Sequence, residues 1–244
     1  MSGLPRPRRH TLYFLDQIRE IAPVFLDTEI DMSAVLAHRR TTKHSIVTYV
    51  LWSAARVLAA HPDANVALRG RRMARYHTVG GKFTLDKTMS GHRVVLSAVL
   101  PGLERASLAD IQRQVERFRD GDPDTMPEFA AVRRLHRVPM PLGALLYRLA
   151  VRPLRQRPGR MGTFAVTSLG HRPVDGFYSV GGATLTIGLG RSVDRPVVRH
   201  GEIVVAPVMR LSLTFDHRAI DGAEAADILA DLKQSLEEFP ADHE

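Results

Sequence analysis

The last third of the sequence constrains the fold most, because it holds long runs of β-prone residues. Three of these runs are GTFAVTSLG (162–170), ATLTIGLG (183–190) and APVMRLSLTFDH (206–217). Between the last two, PVVRHGEIVV places His200 and Gly201 between apolar stretches, which predicts a hairpin turn. Long strands joined partly as hairpins favour a mixed sheet covered by helices.

Further strands and helices are expected in the rest of the chain. The predicted segments are a strand at 23–32, a buried helix at 45–61, a strand at 92–100, an amphipathic helix at 107–122 and a last helix from 222. The helix at 107–122 begins with Ser107 and Asp110 in the spacing of a capping box, with Asp where Glu is commoner. The order of these segments predicts an α/β fold, a mixed β-sheet packed with helices.

The segment at 123–160 is atypical, because prolines divide it into two predicted helices. The second, within PLGALLYRLAVRPLRQRPGR, is amphipathic and strongly basic on one side. This pattern is typical of a helix on a membrane surface, and it also fits an ordinary helix on a protein core. We expect the second arrangement, with Leu142, Leu145, Leu146 and Leu149 packed on the core.

Length and composition limit the class of protein. A chain of 244 residues with 44% hydrophobic content can bury a full core, and we divide it into an N-terminal arm at 1–22 and one domain at 23–244, with 123–160 as a helical insertion. It has no cysteine, which excludes disulfides, a thiolate nucleophile and a Cys-ligated metal. No stretch reads as a signal peptide or a bilayer span, so we expect a cytoplasmic location.

The net charge is +8, and it comes from arginine far more than from lysine. Arginine suits phosphate and carboxylate partners. Two clusters stand out, namely Arg69, Arg71, Arg72 and Arg75, then Arg152, Arg155, Arg157 and Arg160. Neither is interleaved with aromatic residues, so we expect solvated surface and no nucleic-acid site. None of the eleven histidines lies in a HExxH or similar pattern, so no metal is expected.

The segment FDHRAIDG (215–222) follows the last long strand and holds the main candidates for chemistry. His217 begins the departure from the strand, where an imidazole can take a proton from a hydroxyl or thiol and return it to a leaving group. Asp221 lies one helical turn further, where the helix dipole favours a carboxylate, and Gly222 lets the backbone turn tightly. A charged turn before a helix has the same spacing, so spacing alone leaves both interpretations open.

The segment DHRAIDGAEAADIL resembles the DHRxxDGA signature of the dihydrolipoyl acyltransferases, the core enzymes of 2-oxoacid dehydrogenase complexes. Its HxxxDG part is shared with chloramphenicol acetyltransferase. GTFAVTSLG is similar to the family's GTFTISNLG strand, HPDAN (61–65) to its VPxAN segment, and PVFLDTEIDMSAVLAHR (23–39) to its opening strand and helix. The likeness covers nearly the whole chain except 123–160. It implies a chloramphenicol acetyltransferase-like two-layer α/β fold, with 23–244 as one acyltransferase catalytic domain.

The resemblance also implies roles for individual residues. His217 is expected to be the general base, and Asp221 to hold the active-site loop through an ion pair to an arginine. Thr167 stands where the family has a serine, and is expected to donate a hydrogen bond to the oxyanion of the tetrahedral intermediate. Ser168 beside it is the alternative donor.

The resemblance further implies a homotrimer, in which the base of one subunit faces the hydroxyl of the next. The expected acyl donor is acetyl-CoA, with an acyl carrier protein left open, and the expected acceptor is a small molecule. LDKT (85–88) resembles the turn that carries lipoate, but no lipoyl-sized domain surrounds it, so no covalently bound lipoate is expected. Neither a nucleic acid nor a membrane is expected as a partner.

Complex-bound members of the family carry an N-terminal lipoyl domain, a linker and a small subunit-binding domain, whereas this chain begins almost directly at the catalytic domain. We therefore expect a stand-alone acyltransferase, similar to those that acetylate the hydroxymethyl group of a tetronate in bacterial natural-product pathways. Three alternatives remain open: a dihydrolipoamide acyltransferase core whose lipoyl domain is a separate protein, a non-catalytic scaffold of the same fold, and a nucleic-acid binder.

Overall fold

The computed structural model describes residues 5–240, which contain eight strands. The strands are β1 (Pro23–Asp31), β2 (Val66–Arg69), β3 (Arg72–Arg75), β4 (Gly81–Met89), β5 (His92–Leu100), β6 (Phe164–Ser168), β7 (Leu185–Arg199) and β8 (Glu202–Asp216). The predicted arm and domain also include 1–4 and 241–244, which lie outside the described residues.

Six strands form one mixed sheet in the order β1-β8-β7-β6-β4-β5, and β2 and β3 form a separate hairpin. β6 is parallel to its neighbours β4 and β7, and the other pairs are antiparallel. β7 and β8 are joined by a turn at His200 and Gly201, whose φ values of 52° and 84° are left-handed. The predicted mixed sheet and this hairpin are confirmed.

Eight α-helices accompany the sheet in the described part of the chain. They are α1 (Arg9–Ile18), α2 (Ser33–Thr42), α3 (Ile46–Ala60), α4 (Leu108–Asp120), α5 (Ala130–Arg137), α6 (Met140–Val151), α7 (Arg157–Met161) and α8 (Gly222–Glu237). Short 3-10 helices precede α1 and α5, at Arg6–Arg8 and Pro127–Phe129.

The main core lies between one face of the sheet and the helices α3, α4 and α8. In β8, Leu211, Leu213 and Phe215 point into this core, while Ser212 and Thr214 between them are buried on the opposite face. The alternation arises because successive side chains of a strand point to opposite faces. It leaves the second face of the sheet polar near the end of β8.

The helix α4 begins as its capping pattern predicts. The Ser107 hydroxyl accepts a hydrogen bond from the Asp110 N–H at 3.1 Å, and it donates to the Asp110 carboxylate at 2.7 Å. These bonds satisfy groups that a helix start leaves without an intrahelical partner. The predicted helix and its first turn are confirmed.

The segment at 123–160 differs from expectation in two ways. It forms α5, α6 and the start of α7 instead of two helices. The four leucines of α6 are also exposed, with Leu145 and Leu149 showing 51% and 62% of their surface. The expectation that they pack on the core is wrong, because Gly143 and Val151 on the other side of α6 are the buried residues. No helix within residues 5–240 is long and apolar enough to cross a membrane.

The N-terminal residues fold back on this segment, and α1 packs against α5 and α6. Tyr13 is 3% exposed and approaches Gly143 so closely that a Cβ there would lie 2.5 Å from its hydroxyl oxygen. His10 joins α1 to two other elements, with Nδ1 3.0 Å from Nε2 of His136 and Nε2 3.0 Å from the carbonyl of Val95. Gly143 therefore permits the close packing of α1 on α6.

Candidate functional site

His217 is the first residue of the turn between β8 and α8. Its backbone N–H donates to the Ala22 carbonyl at 2.9 Å, which ties the turn to the residue preceding β1. The side chain is 47% exposed, and its ring lies beside that of Phe215 with centroids 5.5 Å apart. A partly exposed imidazole on a fixed backbone is suited to proton transfer with a substrate that arrives from solvent.

Asp216, the residue before His217, holds this turn in place. Its carboxylate is 6% exposed and binds Arg218 at two points, with Nε to Oδ1 at 2.9 Å and Nη2 to Oδ2 at 2.7 Å. The backbone N–H groups of Ala22 and Arg218 also donate to Oδ1, at 3.3 and 3.2 Å. Burial alone would raise the pKa of Asp216, but these hydrogen bonds hold the pKa below its usual value. The charged carboxylate therefore fixes the backbone on both sides of His217.

Asp221 precedes α8 at its N-cap position, yet its side chain makes no capping hydrogen bond and is 90% exposed. Its Oδ1 lies 3.6 Å from Nδ1 of His217, which is too long for a hydrogen bond. Within residues 5–240 of one copy, no arginine forms the expected ion pair with Asp221. Arg218, the arginine of this loop, binds Asp216 instead. The buried carboxylate of Asp216 needs a charged partner, whereas water can solvate the exposed carboxylate of Asp221.

Thr167 lies near the end of β6, half-buried on the face of the sheet opposite the main core. Its hydroxyl makes no hydrogen bond within the described part of the chain, so it is free to donate. Ser168 points to the other face, and its Oγ accepts a hydrogen bond from the Gly170 N–H at 3.4 Å. The geometry favours Thr167 over Ser168 as a hydrogen-bond donor to a ligand.

One copy of the chain does not bring Thr167 and His217 together. Thr167 is in register with Gly188 of β7, and Gly188 with Ser212 of β8. His217 follows Ser212 by five residues, which at about 3.4 Å per residue is roughly 17 Å along the strand. Of the three predicted site residues, His217 and Asp221 are neighbours, and Thr167 lies apart from both.

A buried lysine on the same polar face was not anticipated. Lys82 of β4 is in register with Ala165 of β6 and is 4% exposed. Its Nζ donates to the Gly181 carbonyl and lies 5.0 Å from the ring centroid of Phe14. Burial, together with the positive charge of Arg157, lowers the pKa of Lys82 to about 7. The sequence gives no signal for it, because β4 reads GKFTLDKTM and nothing there distinguishes the buried Lys82 from Lys87.

Lys82 and Arg157 together fix the turn that leads into β7. Arg157 donates to the Gly182 carbonyl at 2.9 Å, next to the carbonyl that Lys82 binds. Gly182 has a left-handed φ of 81° and packs against the side chains of Met161 and Phe14. The two cations thus connect the polar face of the sheet to the helical segment at 123–160.

The second arginine cluster offers groups that a phosphate could bind. Arg152 pairs with Glu20 at 2.7 Å and Arg157 is partly buried, so Arg155 and Arg160 are its exposed members. The first cluster lies on the β2-β3 hairpin, in the separate sheet. No group of three histidine or acidic side chains within residues 5–240 is placed to hold a metal ion.

Comparison with protein families and curated proteins finds dihydrolipoyllysine-residue acyltransferase relatives. Residues 150–242 match the family described as "2-oxoacid dehydrogenases acyltransferase (catalytic domain)". A dihydrolipoyllysine-residue succinyltransferase component of the 2-oxoglutarate dehydrogenase complex from Haemophilus influenzae is 24% identical over 86% of this chain and 47% of its own length. A dihydrolipoyllysine-residue acetyltransferase component of the acetoin cleaving system from Bacillus subtilis is 43% identical over 34% of this chain and 23% of its own length. The chain spans less than half the length of these relatives.

Solved structures share the fold over almost the whole chain. A probable dihydrolipoamide acetyltransferase from Listeria monocytogenes superposes with a TM-score of 0.72 at 15% identity, over 99% of this chain and 95% of that one. The dihydrolipoamide acetyltransferase of Azotobacter vinelandii gives 0.73 at 19% identity, over 98% and 92%. A chloramphenicol acetyltransferase gives 0.57 at 13% identity, over 96% of each chain. The expected chloramphenicol acetyltransferase-like fold is confirmed.

Proposed function

We propose, from the match of residues 150–242 to the 2-oxoacid dehydrogenase acyltransferase family, that the protein transfers an acyl group from a thioester to a small nucleophile. The observation that carries the proposal is the exposed His217 in a turn held by the ion pair between the buried Asp216 carboxylate and Arg218. A fixed backbone and an accessible imidazole are what a general base at a strand end requires.

The chemistry proposed for His217 is a proton transfer in two directions. Nδ1 is 3.6 Å from Oδ1 of Asp221, and the negative charge of that carboxylate favours a proton on Nδ1, which leaves Nε2 as the base. Nε2 takes the proton from the acceptor hydroxyl as its oxygen bonds to the thioester carbonyl carbon. When the tetrahedral intermediate collapses, the carbon–sulfur bond breaks and the same proton passes from Nε2 to the departing sulfur. The products are an ester and a free thiol.

Thr167 is proposed to stabilise the oxyanion of that intermediate, in a site shared by two copies of the chain. Its free hydroxyl supports the donor role, and its separation from His217 within one chain supports a shared site. A closed homo-oligomer, for which we propose a trimer, lets each copy supply His217 to one neighbour and Thr167 to the other. A single copy is then inactive.

We propose acetyl-CoA as the donor and a hydroxylated small molecule, such as a tetronate intermediate of natural-product biosynthesis, as the acceptor. The exposed Arg155 and Arg160 are suited to the phosphates of coenzyme A or of a carrier-protein arm. The reaction is placed in the cytoplasm, as the sequence predicts. The rival acceptor is dihydrolipoamide, because the curated relatives are dihydrolipoyllysine-residue acyltransferases.

Thiol release from acetyl-CoA tests this function. Purified protein is supplied with hydroxylated tetronates, with simple amines or with free dihydrolipoamide, and the acylated product is identified by mass spectrometry, because dihydrolipoamide itself contributes thiols. The proposal predicts product with a hydroxyl acceptor, and loss of at least about a hundredfold in rate for His217→Ala. His200→Ala, which alters another exposed turn histidine, is the matched control. Product with dihydrolipoamide alone supports the rival, and equal rates for both variants contradict the role of His217.

A further inference from the structure

The helix α6 presents an apolar face to solvent. Leu142, Leu145, Leu146 and Leu149 follow one another at spacings of three, one and three residues, which puts them on one side of a helix. Their exposed fractions run from 43% to 62%, because the side of α6 that packs on the protein is the one with Gly143 and Val151. The leucines are therefore open to a partner outside the chain.

The helix α1, which packs on α6, also carries exposed leucines. α1 packs beside α6 through Tyr13 and Gly143, and its Leu12 and Leu15 are 37% and 45% exposed. Large apolar side chains grouped on one exposed surface mark a contact site more often than a solvated one. We call this surface, formed by the exposed leucines of α1 and α6, the leucine face.

The helical segment that carries α6 has only positive charge, and α1 adds Asp16, which pairs with Arg19 at 3.3 Å. Residues 130–161 contain eight arginines and neither aspartate nor glutamate. The exposed ones are Arg134, Arg137, Arg148, Arg155 and Arg160. Some of the other arginines of the segment are engaged, such as Arg152, which pairs with Glu20 of the chain's N-terminal region. The exposed guanidiniums are therefore available to an anionic partner.

The exposed leucines and the exposed arginines together indicate which kind of partner binds this surface. A second copy of the chain that met this surface with its own would bring two arginine-rich segments together and be opposed by charge repulsion, so a contact between copies would have to join the leucine face to a different surface. An anionic lipid surface accepts both features, because its acyl region takes the leucines and its headgroups bind the arginines. We propose that the leucine face docks on the surface of an anionic bilayer, without spanning it. This departs from the sequence-based expectation that a membrane is not a partner.

Co-sedimentation with vesicles tests the proposal on the full chain. The probes are vesicles of phosphatidylcholine alone and vesicles of phosphatidylcholine mixed with phosphatidylglycerol. We expect binding to the mixed vesicles at least about tenfold tighter than to the neutral ones, because each arginine near the surface adds to the attraction. We also expect the affinity to fall as salt is raised, because salt screens exposed charges.

Two double variants test the apolar and the charged contributions to binding separately, and a third double variant is the control. Leu145→Ser with Leu149→Ser removes the centre of the leucine face. Arg137→Gln with Arg148→Gln removes exposed charge from the same helical segment and leaves the proposed coenzyme A contacts Arg155 and Arg160 unchanged. Each double variant is expected to lose at least about tenfold in affinity. Val198→Ser with Ile203→Ser changes apolar residues of the β7-β8 hairpin that are even more exposed than these leucines, and is expected to bind as the unaltered protein does.

Three results would overturn the proposal. One is equal or undetectable binding to the two kinds of vesicle, and another is loss of binding in the hairpin control alone. The third comes from sedimentation without lipid: if the leucine double variant changes the oligomeric state, the face is a contact between copies. Circular dichroism of each variant establishes that a loss of binding is not a loss of folding.

Discussion

The guanidinium of Arg218 binds the carboxylate of Asp216 with two nearly parallel hydrogen bonds of 2.9 and 2.7 Å, and His217 lies between these two residues in the sequence. The carboxylate is buried, with 6% of the Asp216 side chain exposed, whereas 31% of the Arg218 side chain is exposed. The position of the proposed general base therefore depends on an ion pair formed by its two immediate neighbours.

Replacing Arg218 by Met should destabilise the fold by about 1–3 kcal/mol at pH 7, because it leaves a buried carboxylate without its strongest partner. Urea unfolding measures this free energy. The pKa of Asp216 is held low in the folded protein, so its stabilising contribution is present above the usual pKa and is lost as the pH falls through the lowered value. The difference between the variant and the unaltered protein should therefore shrink at acid pH.

Arg93→Met is the matched control for that variant. Arg93 also binds an aspartate, Asp86, through two nitrogens, but 40% of the Asp86 side chain is exposed. Exposed pairs contribute about 0–1 kcal/mol, so this change should cost less than Arg218→Met. Equal costs for both variants would contradict the importance assigned to the buried pair.

Thr167→Val should lower kcat about a hundredfold or more with little change in KM, because it removes a hydrogen bond made only to the oxyanion. Thr167→Ser, which keeps the hydroxyl, should retain most of the activity. Steady-state acyl transfer at saturating donor measures both. A larger loss in Ser168→Ala than in Thr167→Val would assign the oxyanion contact to Ser168 instead.

Lys82→Met should flatten the dependence of stability on pH between about pH 7 and pH 10.5. The pKa of Lys82 is lowered from 10.5 to about 7, so over this range the unfolded chain binds a proton that the folded protein does not. The contribution of this group to stability therefore rises with pH, by an amount on the order of a few kcal/mol. Urea unfolding at several pH values measures the slope, with Lys43→Met as the control for loss of one positive charge.

An unchanged slope in Lys82→Met would contradict the assignment of a neutral, buried lysine. A second readout is the turn that Lys82 binds through the Gly181 carbonyl. Hydrogen exchange of the Gly181 and Gly182 amides should quicken in Lys82→Met, because one of the two side chains that donate hydrogen bonds to this turn is gone.

Features with a local signal could be predicted from the sequence. Ser107 begins α4 because its hydroxyl and the Asp110 N–H are neighbours in the chain, and the turn at His200 and Gly201 lies where two apolar runs meet. The alternation along β8 likewise predicts the correct faces, with Leu211 in the core and Ser212 on the other side.

Features that depend on contacts distant in the sequence could not be predicted. The leucines of α6 have the periodicity of a core helix, and only the packing of α1 on Gly143 shows that the apolar side faces outward. Asp216 and Asp221 are equally good candidates for an arginine partner by sequence, and burial decides between them. The burial of Lys82 could not be predicted, because its partner, the carbonyl of Gly181, is 99 residues away in the sequence.

The most direct test of the account is to mix two inactive variants, His217→Ala and Thr167→Val, after reversible dissociation, and to measure acyl transfer by the reassembled protein. Each site needs His217 from one copy and Thr167 from another, so random reassembly should restore about one quarter of the unaltered activity. Activity that stays at the level of the separate variants would contradict a site shared between copies, and full activity of either variant alone would contradict the roles of these residues.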